Sequence, residues 1–172
     1  ELSSQIYDEA RKFTYQTGNS STGSNLLNLT VTIRSGNSSI SSTTTNTYDI
    51  QGRIASTTGP ISGSTSVVFY DADGRQVGIV QPDPDGGGGN PHPATKISYD
   101  GAGRVVLTEQ GTVPSQSRYD FDNNFTSLIQ AASAYDSVTG AKARDTARIG
   151  GVDQSVTQYA YDDGGRPTCT AR

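Results

Sequence analysis

A tyrosine followed directly by an aspartate recurs along the chain, and this pair constrains the fold more than any other feature. Seven of the nine tyrosines precede an aspartate, although aspartate accounts for only 14 of the 172 residues. Four of these pairs continue as Tyr-Asp-x-x-Gly-Arg. The four copies consist of Tyr48, Asp49, Gly52 and Arg53; Tyr70, Asp71, Gly74 and Arg75; Tyr99, Asp100, Gly103 and Arg104; and Tyr161, Asp162, Gly165 and Arg166. Such agreement indicates one structural unit that is used repeatedly.

The residue types of this motif predict the tip of a β-hairpin. Aspartate at the start of a type I turn and glycine three residues later suit the common three-residue hairpin loop, in which the glycine is left-handed. In the second copy this register places Phe69 opposite Val77, and Val67 opposite Ile79, as apolar cross-strand pairs. Since a single hairpin is only marginally stable in water, successive hairpins are expected to lie side by side.

The flanks of the third copy carry apolar residues on both faces of the predicted sheet. The same register sets Tyr99 against Val105, and Ile97 against Leu107. Sheets with two apolar faces are usually covered on both sides or curled. We therefore predict an all-β fold, an array of antiparallel hairpins that forms a curled or spiral sheet as a fragment of a larger β-shell.

Three other Tyr-Asp pairs depart from the motif. Tyr119 and Asp120 are followed by Asn123 at the glycine position, and asparagine tolerates positive φ, so a hairpin turn is predicted there too. Tyr135 has its glycine one place late, at Gly140, which suggests a longer loop. The copy at Tyr7 lacks both the glycine and the arginine and is doubtful.

The repeats divide the chain into regions. Residues 1–47 form a polar, degenerate N-terminal repeat region, in which alternating Leu27, Leu29, Val31 and Ile33 predict one strand. Residues 48–172 carry hairpin repeats that start near positions 48, 70, 99, 119, 135 and 161. Residues 81–95 are rich in glycine and proline and predict a connection.

Composition excludes several classes of protein. Hydrophobic residues make up 31% of the chain and charged residues 17%, with a net charge of −4. A thick core is therefore not expected. The sequence has no cluster of Lys and Arg, so a nucleic-acid-binding surface is not expected either. No apolar run approaches the roughly 18 residues of a membrane span. We expect no cofactor.

The repeated Tyr-Asp-x-x-Gly-Arg motif resembles the YD repeat of rearrangement-hotspot (Rhs) proteins, and related repeats occur in shell components of insecticidal toxin complexes and in teneurins. The resemblance covers residues 48–166 well and residues 1–47 poorly. It implies a secreted or cell-surface bacterial protein whose β-sheet spirals into a hollow shell around a toxic C-terminal domain. The implied partners are the rest of the repeat array and the enclosed domain.

Asp83-Pro84-Asp85-Gly86 is the one segment with a candidate chemical role. The resembling family ends its shell with an Asp-Pro-x-Gly motif at a self-cleavage site, and two carboxylates could share acid and base roles. Gly87 follows, however, where the family usually has leucine, and further hairpins come after the segment. A flexible turn is therefore the favoured interpretation.

Other candidate sites are weaker. Calcium takes six to eight oxygen ligands, but the loops lack the dense aspartate spacing of a dedicated site, so we predict no metal; the aspartates considered are Asp71, Asp73, Asp83, Asp85, Asp120 and Asp122. His92 is interpreted as an exposed loop residue. Cys169, placed opposite Tyr159, is interpreted as a small buried or edge residue and not as a nucleophile.

Two functions fit this sequence. The first is a structural shell segment with no catalytic residues. The alternative is a cell-surface adhesion or carbohydrate-binding module, in which exposed tyrosine rings contact sugars. Self-association through unpaired sheet edges is compatible with both. An enzyme is a distant third.

Overall fold

A computed structural model describes residues 10–16, 28–34 and 41–171, with side chains described from residue 41 onward. These residues form twelve strands and one short helix, α1. The strands are β1 Ala10–Gln16, β2 Asn28–Arg34, β3 Ser41–Tyr48, β4 Ile54–Thr58, β5 Thr65–Tyr70, β6 Gln76–Val80, β7 His92–Tyr99, β8 Val105–Val113, β9 Thr126–Tyr135, β10 Lys142–Ile149, β11 Val152–Tyr161 and β12 Pro167–Ala171. Helix α1 spans Arg118–Asn123 and lies between β8 and β9.

All twelve strands belong to one sheet, and their order in space is their order in the chain. Every recorded pair is antiparallel, from β1 with β2 to β11 with β12. The prediction of an all-β array of antiparallel hairpins is confirmed. The Tyr7 copy and Leu27 lie outside the described residues. Within the described part of the chain, no helix is long and apolar enough to cross a membrane.

The four complete motifs form hairpin tips with the predicted turn. Their glycines have φ values of 78°, 83°, 80° and 74° at Gly52, Gly74, Gly103 and Gly165. In the second copy the Gly74 N–H donates to the Asp71 carbonyl at 3.1 Å, and the Asp71 N–H donates to the Arg75 carbonyl at 3.0 Å. A left-handed residue closes each loop, and glycine adopts that conformation without a Cβ clash.

The register beyond each tip differs from the predicted one by a single residue. Phe69 pairs with Gly78, where Val77 was expected, because Val77 is the extra residue of a β-bulge next to the tip. The same shift places Ile97 opposite Thr108 and not Leu107, although Tyr99 faces Val105 as predicted. Five hairpins carry the shift at one equivalent position, with the extra residues Ala55, Val77, Val106, Ala143 and Thr168.

The hairpin predicted at Tyr119 was wrong, because this segment forms helix α1. Ser117 caps the helix, and its hydroxyl accepts the Asp120 N–H at 3.0 Å. Arg118 bonds to Asp122 one turn later at 2.7 Å. These local bonds, a serine three residues before an acidic residue and an i,i+4 ion pair, favour a helix start. Asn123 ends the helix instead of occupying a turn.

Helix α1 is held on the sheet by Phe121, which is 1% exposed. The Phe121 ring lies 4.8 Å from the Phe69 ring and 6.1 Å from the Phe125 ring, measured between centroids. Gly78 makes room for it, since a Cβ at Gly78 would overlap the Phe121 ring. Among the residues whose side chains are described, the buried apolar ones are Val80, Ala94, Val113 and Phe121. The core is small, as the composition indicates.

Candidate functional site

The hairpin tips form the most regular side-chain arrangement in the structure. Because the strands follow one another in sequence order, the tips after β3, β5, β7, β9 and β11 all lie along one side of the sheet. This row of tips brings the motif residues of successive hairpins next to each other. We call it the tip ladder, consisting of the segments 48–54, 70–76, 99–105, 135–142 and 161–167.

Within a tip, the aspartate holds the loop and orients the arginine. Asp100 Oδ1 accepts the backbone N–H groups of Ala102 and Arg104, both at 2.9 Å. Its Oδ2 accepts Arg104 Nε at 2.8 Å. The Arg104 backbone and side-chain bonds, with the Ala102 bond, lower the pKa of the Asp100 carboxyl. Equivalent bonds join Asp49 to Arg53, Asp71 to Arg75 and Asp162 to Arg166.

Between tips, the arginine of one hairpin stacks on the tyrosine of the next. The distance from guanidinium carbon to ring centroid is 4.2 Å for Arg53 on Tyr70, 4.8 Å for Arg75 on Tyr99 and 4.2 Å for Arg104 on Tyr135. These are cation–π distances. The two conspicuous residues of the motif therefore join different hairpins, which the spacing within the motif does not reveal.

The tyrosine hydroxyl makes a second link across each junction. It donates to the carbonyl of the residue that follows the stacked arginine, from Tyr70 to Ile54 at 3.0 Å, from Tyr99 to Gln76 at 2.8 Å and from Tyr135 to Val105 at 3.3 Å. Each ring is thus fixed by its face and by its hydroxyl. The repeated aspartate, arginine and tyrosine together connect neighbouring hairpins.

Two of the tip glycines lie close to the arginine of the preceding hairpin. A Cβ on Gly74 would lie 3.2 Å from Arg53 Nη1, and one on Gly140 would lie 3.3 Å from Arg104 Nη1. Arg104 Nη1 also donates to the Gly140 carbonyl at 2.8 Å. At Gly74 and Gly140, glycine therefore adopts a positive φ without a Cβ clash and also leaves room for the guanidinium group of the preceding hairpin.

The junction between the last two described tips differs. The loop after Tyr135 has one more residue, as predicted, and Ala141 occupies the arginine position. Asp136 accepts hydrogen bonds from its own loop, from the Thr139 N–H at 2.7 Å and the Val138 N–H at 3.0 Å. In the final tip the Arg166 side chain is 82% exposed, against 34% for Arg104.

A polar network supports the strands below this junction. Asp145 accepts the Ser133 hydroxyl at 2.6 Å, the Tyr159 hydroxyl at 2.8 Å and the Lys142 ammonium at 3.0 Å. Partial burial would raise the pKa of Asp145, but the bonds from Ser133, Lys142 and Tyr159 lower it. The bond to Asp145 raises the pKa of Tyr159 and also that of Lys142. Sequence reasoning missed this network, because its members lie on three strands.

The Asp83–Asp85 segment forms a capped loop. Asp83 accepts the Asp85 N–H at 3.1 Å and the Gly87 N–H at 2.7 Å. Asp85 accepts both nitrogens of Asn90, at 3.1 Å from the backbone and 2.8 Å from the side chain. Both carboxylates hold the loop conformation, and this geometry favours the turn interpretation.

The remaining candidates are dispersed. Among the described residues, no three His, Cys, Asp or Glu side chains converge as a metal site. His92 is the first, half-buried residue of β7 and not a loop residue, because it pairs with Val113 of β8. The Gly/Pro connection thus ends at residue 91. Cys169 is exposed on the edge strand β12 and pairs with Ala160, since the bulge shifts it from Tyr159.

Helix α1 and the loop before it were also missed. Arg118 Nη1 donates to the Tyr70 carbonyl at 3.1 Å, and Gln116 Nε2 donates to the Gln81 carbonyl at 3.0 Å. This segment lies on one face of β5–β7, where Phe121 contacts Phe69 and Gly78 and lies beside Lys96. Gly78 is the sequence signal that could have revealed the helix. A glycine inside an apolar strand often marks the close approach of another group.

Comparison with solved structures finds chains that are similar in structure. No family model matches the chain, and no curated protein matches it. A chain in the solved structure described as the crystal structure of TcdB2-TccC3-Cdc42 is similar, with a TM-score of 0.55 and 16% sequence identity. The two share a fold. The likeness covers 81% of this chain and 7% of that one, so this chain matches only a small part of its length.

Proposed function

We propose that this chain is a structural segment of a large secreted Rhs-type protein, in which repeated hairpins build a β-shell that encloses or presents a C-terminal toxin domain. The observation that carries the proposal is the tip ladder. Each junction joins only neighbouring hairpins, so a sheet of this kind grows by adding units, as solenoid proteins do.

Two further observations support a structural role. The Tyr-Asp-x-x-Gly-Arg repeat resembles that of Rhs proteins and toxin-complex shells, and the fold is similar to part of a chain in the TcdB2-TccC3-Cdc42 structure. The proposed partners are the remainder of the repeat array and an enclosed toxin domain, in a bacterial protein that is secreted or displayed on the cell surface.

The chemistry of the motif residues supports a segment without catalysis. The aspartates of the four Tyr-Asp-x-x-Gly-Arg tips and of the 83–85 loop accept hydrogen bonds within their own loops. The tyrosine rings at three junctions lie beneath arginines and so are not presented to a sugar. This arrangement favours the shell role over the adhesion or carbohydrate-binding alternative.

The test uses the full-length protein that contains this segment. Electron cryomicroscopy is expected to show a hollow particle with this sheet in its wall, and limited proteolysis is expected to spare the C-terminal domain. The combined substitution Arg53→Ala, Arg75→Ala and Arg104→Ala weakens three junctions and should increase cleavage of that domain. Tyr119→Ala, at a side chain 71% exposed on α1, is the matched control.

Two outcomes would contradict the proposal. One is a particle with no interior space, and the other is a C-terminal domain that is digested as fast in the full-length protein as alone. Specific retention on immobilised glycans, lost on substitution of exposed Tyr119, would favour the adhesion alternative.

A further inference from the structure

The Tyr135 tip has the backbone frame of the other tips but lacks their arginine. The Asp136 N–H donates to the Ala141 carbonyl at 2.8 Å, as the Asp71 N–H does to the Arg75 carbonyl at 3.0 Å. Tyr135 pairs with Lys142, just as Tyr70 pairs with Gln76. Ala141 therefore occupies the place from which an arginine would reach the next tyrosine.

A cleft opens where that side chain would lie. It has a volume of about 580 Å³ and is lined by both tips, including Asp136, Ala141, Tyr159, Tyr161 and Asp163. Tyr161 is 37% exposed. Around the position of a Cβ on Gly165 the structure shows no atom within 4 Å, whereas Arg53 Nη1 lies 3.2 Å from that position on Gly74.

The charges around the cleft suit a cation. Asp136 and Asp163 line it, and so do Asp162 and Lys142. The Asp162 carboxylate is paired with Arg166 at 2.8 Å, and the Lys142 ammonium group is bound to Asp145 at 3.0 Å. Asp163 adds a carboxylate where the corresponding residues of two other tips are Ala72 and Gly101.

Asp136 has one oxygen available for a cation. The three bonds from Val138 and Thr139 converge on Asp136 Oδ1. Within the described residues, no recorded bond reaches its Oδ2. An aromatic face beside a carboxylate oxygen matches a guanidinium group, which stacks through its plane and donates from its edge.

We propose that this cleft is a binding site for the guanidinium group of an arginine side chain supplied by a partner polypeptide. The bound group stacks on Tyr161, as Arg53, Arg75 and Arg104 stack on their tyrosines, and donates to Asp136. This site does not depend on the proposed shell role, because it is defined by one junction of the described sheet.

The first test is a titration of the 172-residue chain with N-acetyl-arginine amide, followed by ¹H–¹⁵N NMR. We expect chemical-shift changes confined to residues 136–142 and 159–165, with a dissociation constant on the order of 1–10 mM for a cation that stacks on one ring and donates to one carboxylate. N-acetyl-citrulline amide, of similar shape but uncharged, is the matched control and should bind at least about tenfold more weakly. Equal shifts with both probes would overturn the proposal.

Two variants locate the binding. Ala141→Arg supplies the guanidinium from within the chain and should abolish the shifts, while Tyr161→Leu removes the ring and should weaken binding at least about tenfold. Tyr70→Leu, at a junction already filled, should leave binding unchanged. Retained binding in folded Ala141→Arg and Tyr161→Leu proteins would place the probe elsewhere.

A third arm tests the source of the arginine. A capped Gly-Arg-Gly peptide should bind at least as tightly as N-acetyl-arginine amide if a polypeptide can approach the cleft. Clearly weaker binding of the peptide would mean that the rim excludes a chain, and it would overturn the polypeptide partner.

Discussion

The central hairpins and the C-terminal hairpins all turn at a Tyr-Asp tip, but they are held together differently. Among the residues whose side chains are described, the buried apolar ones are Val80 in β6, Ala94 in β7, Val113 in β8 and Phe121 in α1. In the described residues after 125, the one buried side chain that is recorded is the polar Thr146. There, the strands are joined by bonds to Asp145 and the tip junction lacks its arginine. The motif therefore determines the turns. The packing on the faces of the sheet and the contacts between neighbouring tips determine how much each hairpin is stabilised.

The largest expected difference between the two regions comes from Phe121. Phe121→Ala removes a ring that is 1% exposed and packs against Phe69 and Gly78, so we expect a loss of about 3–4 kcal/mol in the free energy of unfolding. Tyr119→Ala, on the same helix but 71% exposed, should change it by less than about 0.5 kcal/mol. Urea denaturation measures both. Equal losses would mean that α1 is not anchored through its buried ring.

Gly74 tests what the two regions have in common, the tip itself. Gly74→Val forces a β-branched residue into φ 83° and crowds Arg53, so we expect a loss of about 1–3 kcal/mol. Gly101→Ala, in a neighbouring tip with open space around its Cβ, should be nearly neutral or slightly stabilising. Thermal denaturation followed by circular dichroism distinguishes them. An unchanged melting temperature for Gly74→Val would contradict the turn geometry.

The hairpin tips could be predicted from the sequence because their determinants are local. Aspartate and glycine three residues apart specify one turn, and four identical copies exclude coincidence. The strand pairing was predicted only to within one residue. The bulge beside each tip places one extra residue in one strand, and these extra residues share no residue type that would mark it: Ala55, Val77, Val106, Ala143 and Thr168.

Helix α1 and the junctions depend on contacts between distant segments. The Tyr-Asp pair at Tyr119 suggested a turn, yet the capping Ser117 and the burial of Phe121 against Gly78 favoured a helix. The arginine–tyrosine stacks join residues separated by a different length of chain at each junction. No fixed spacing in the sequence reveals such pairs, so the cleft beside Ala141 could not be predicted either.

Removal of one arginine from a complete junction measures its strength. Arg104→Ala loses the stack on Tyr135 and the bond to Gly140, as well as the pair with Asp100, so we expect a loss of about 1 kcal/mol. Arg166→Ala loses the same kind of pair with Asp162, but its side chain is 82% exposed, and we expect almost no change. The difference between the two variants isolates the contact between hairpins. Equal effects would mean that the stack on Tyr135 adds no stability.

The smallest expected effect is a dependence on pH of the stability that Arg104→Ala loses. Aspartate in an unfolded chain titrates near about pH 3.9, and bonds from the Arg104 backbone and side chain lower the pKa of folded Asp100. The unfolded chain then binds more protons than the folded one. The contribution of Asp100 to the free energy of unfolding is therefore present above its unfolded pKa and is lost as pH falls through its folded pKa.

Arg104→Ala keeps the backbone bonds to Asp100 Oδ1 but loses the guanidinium bond to Oδ2. The stability gap between the unsubstituted protein and Arg104→Ala should therefore narrow between about pH 6 and about pH 3, as measured by urea denaturation at each pH. A constant gap would show that Arg104 stabilises the junction by stacking on Tyr135 and not through the charge of Asp100.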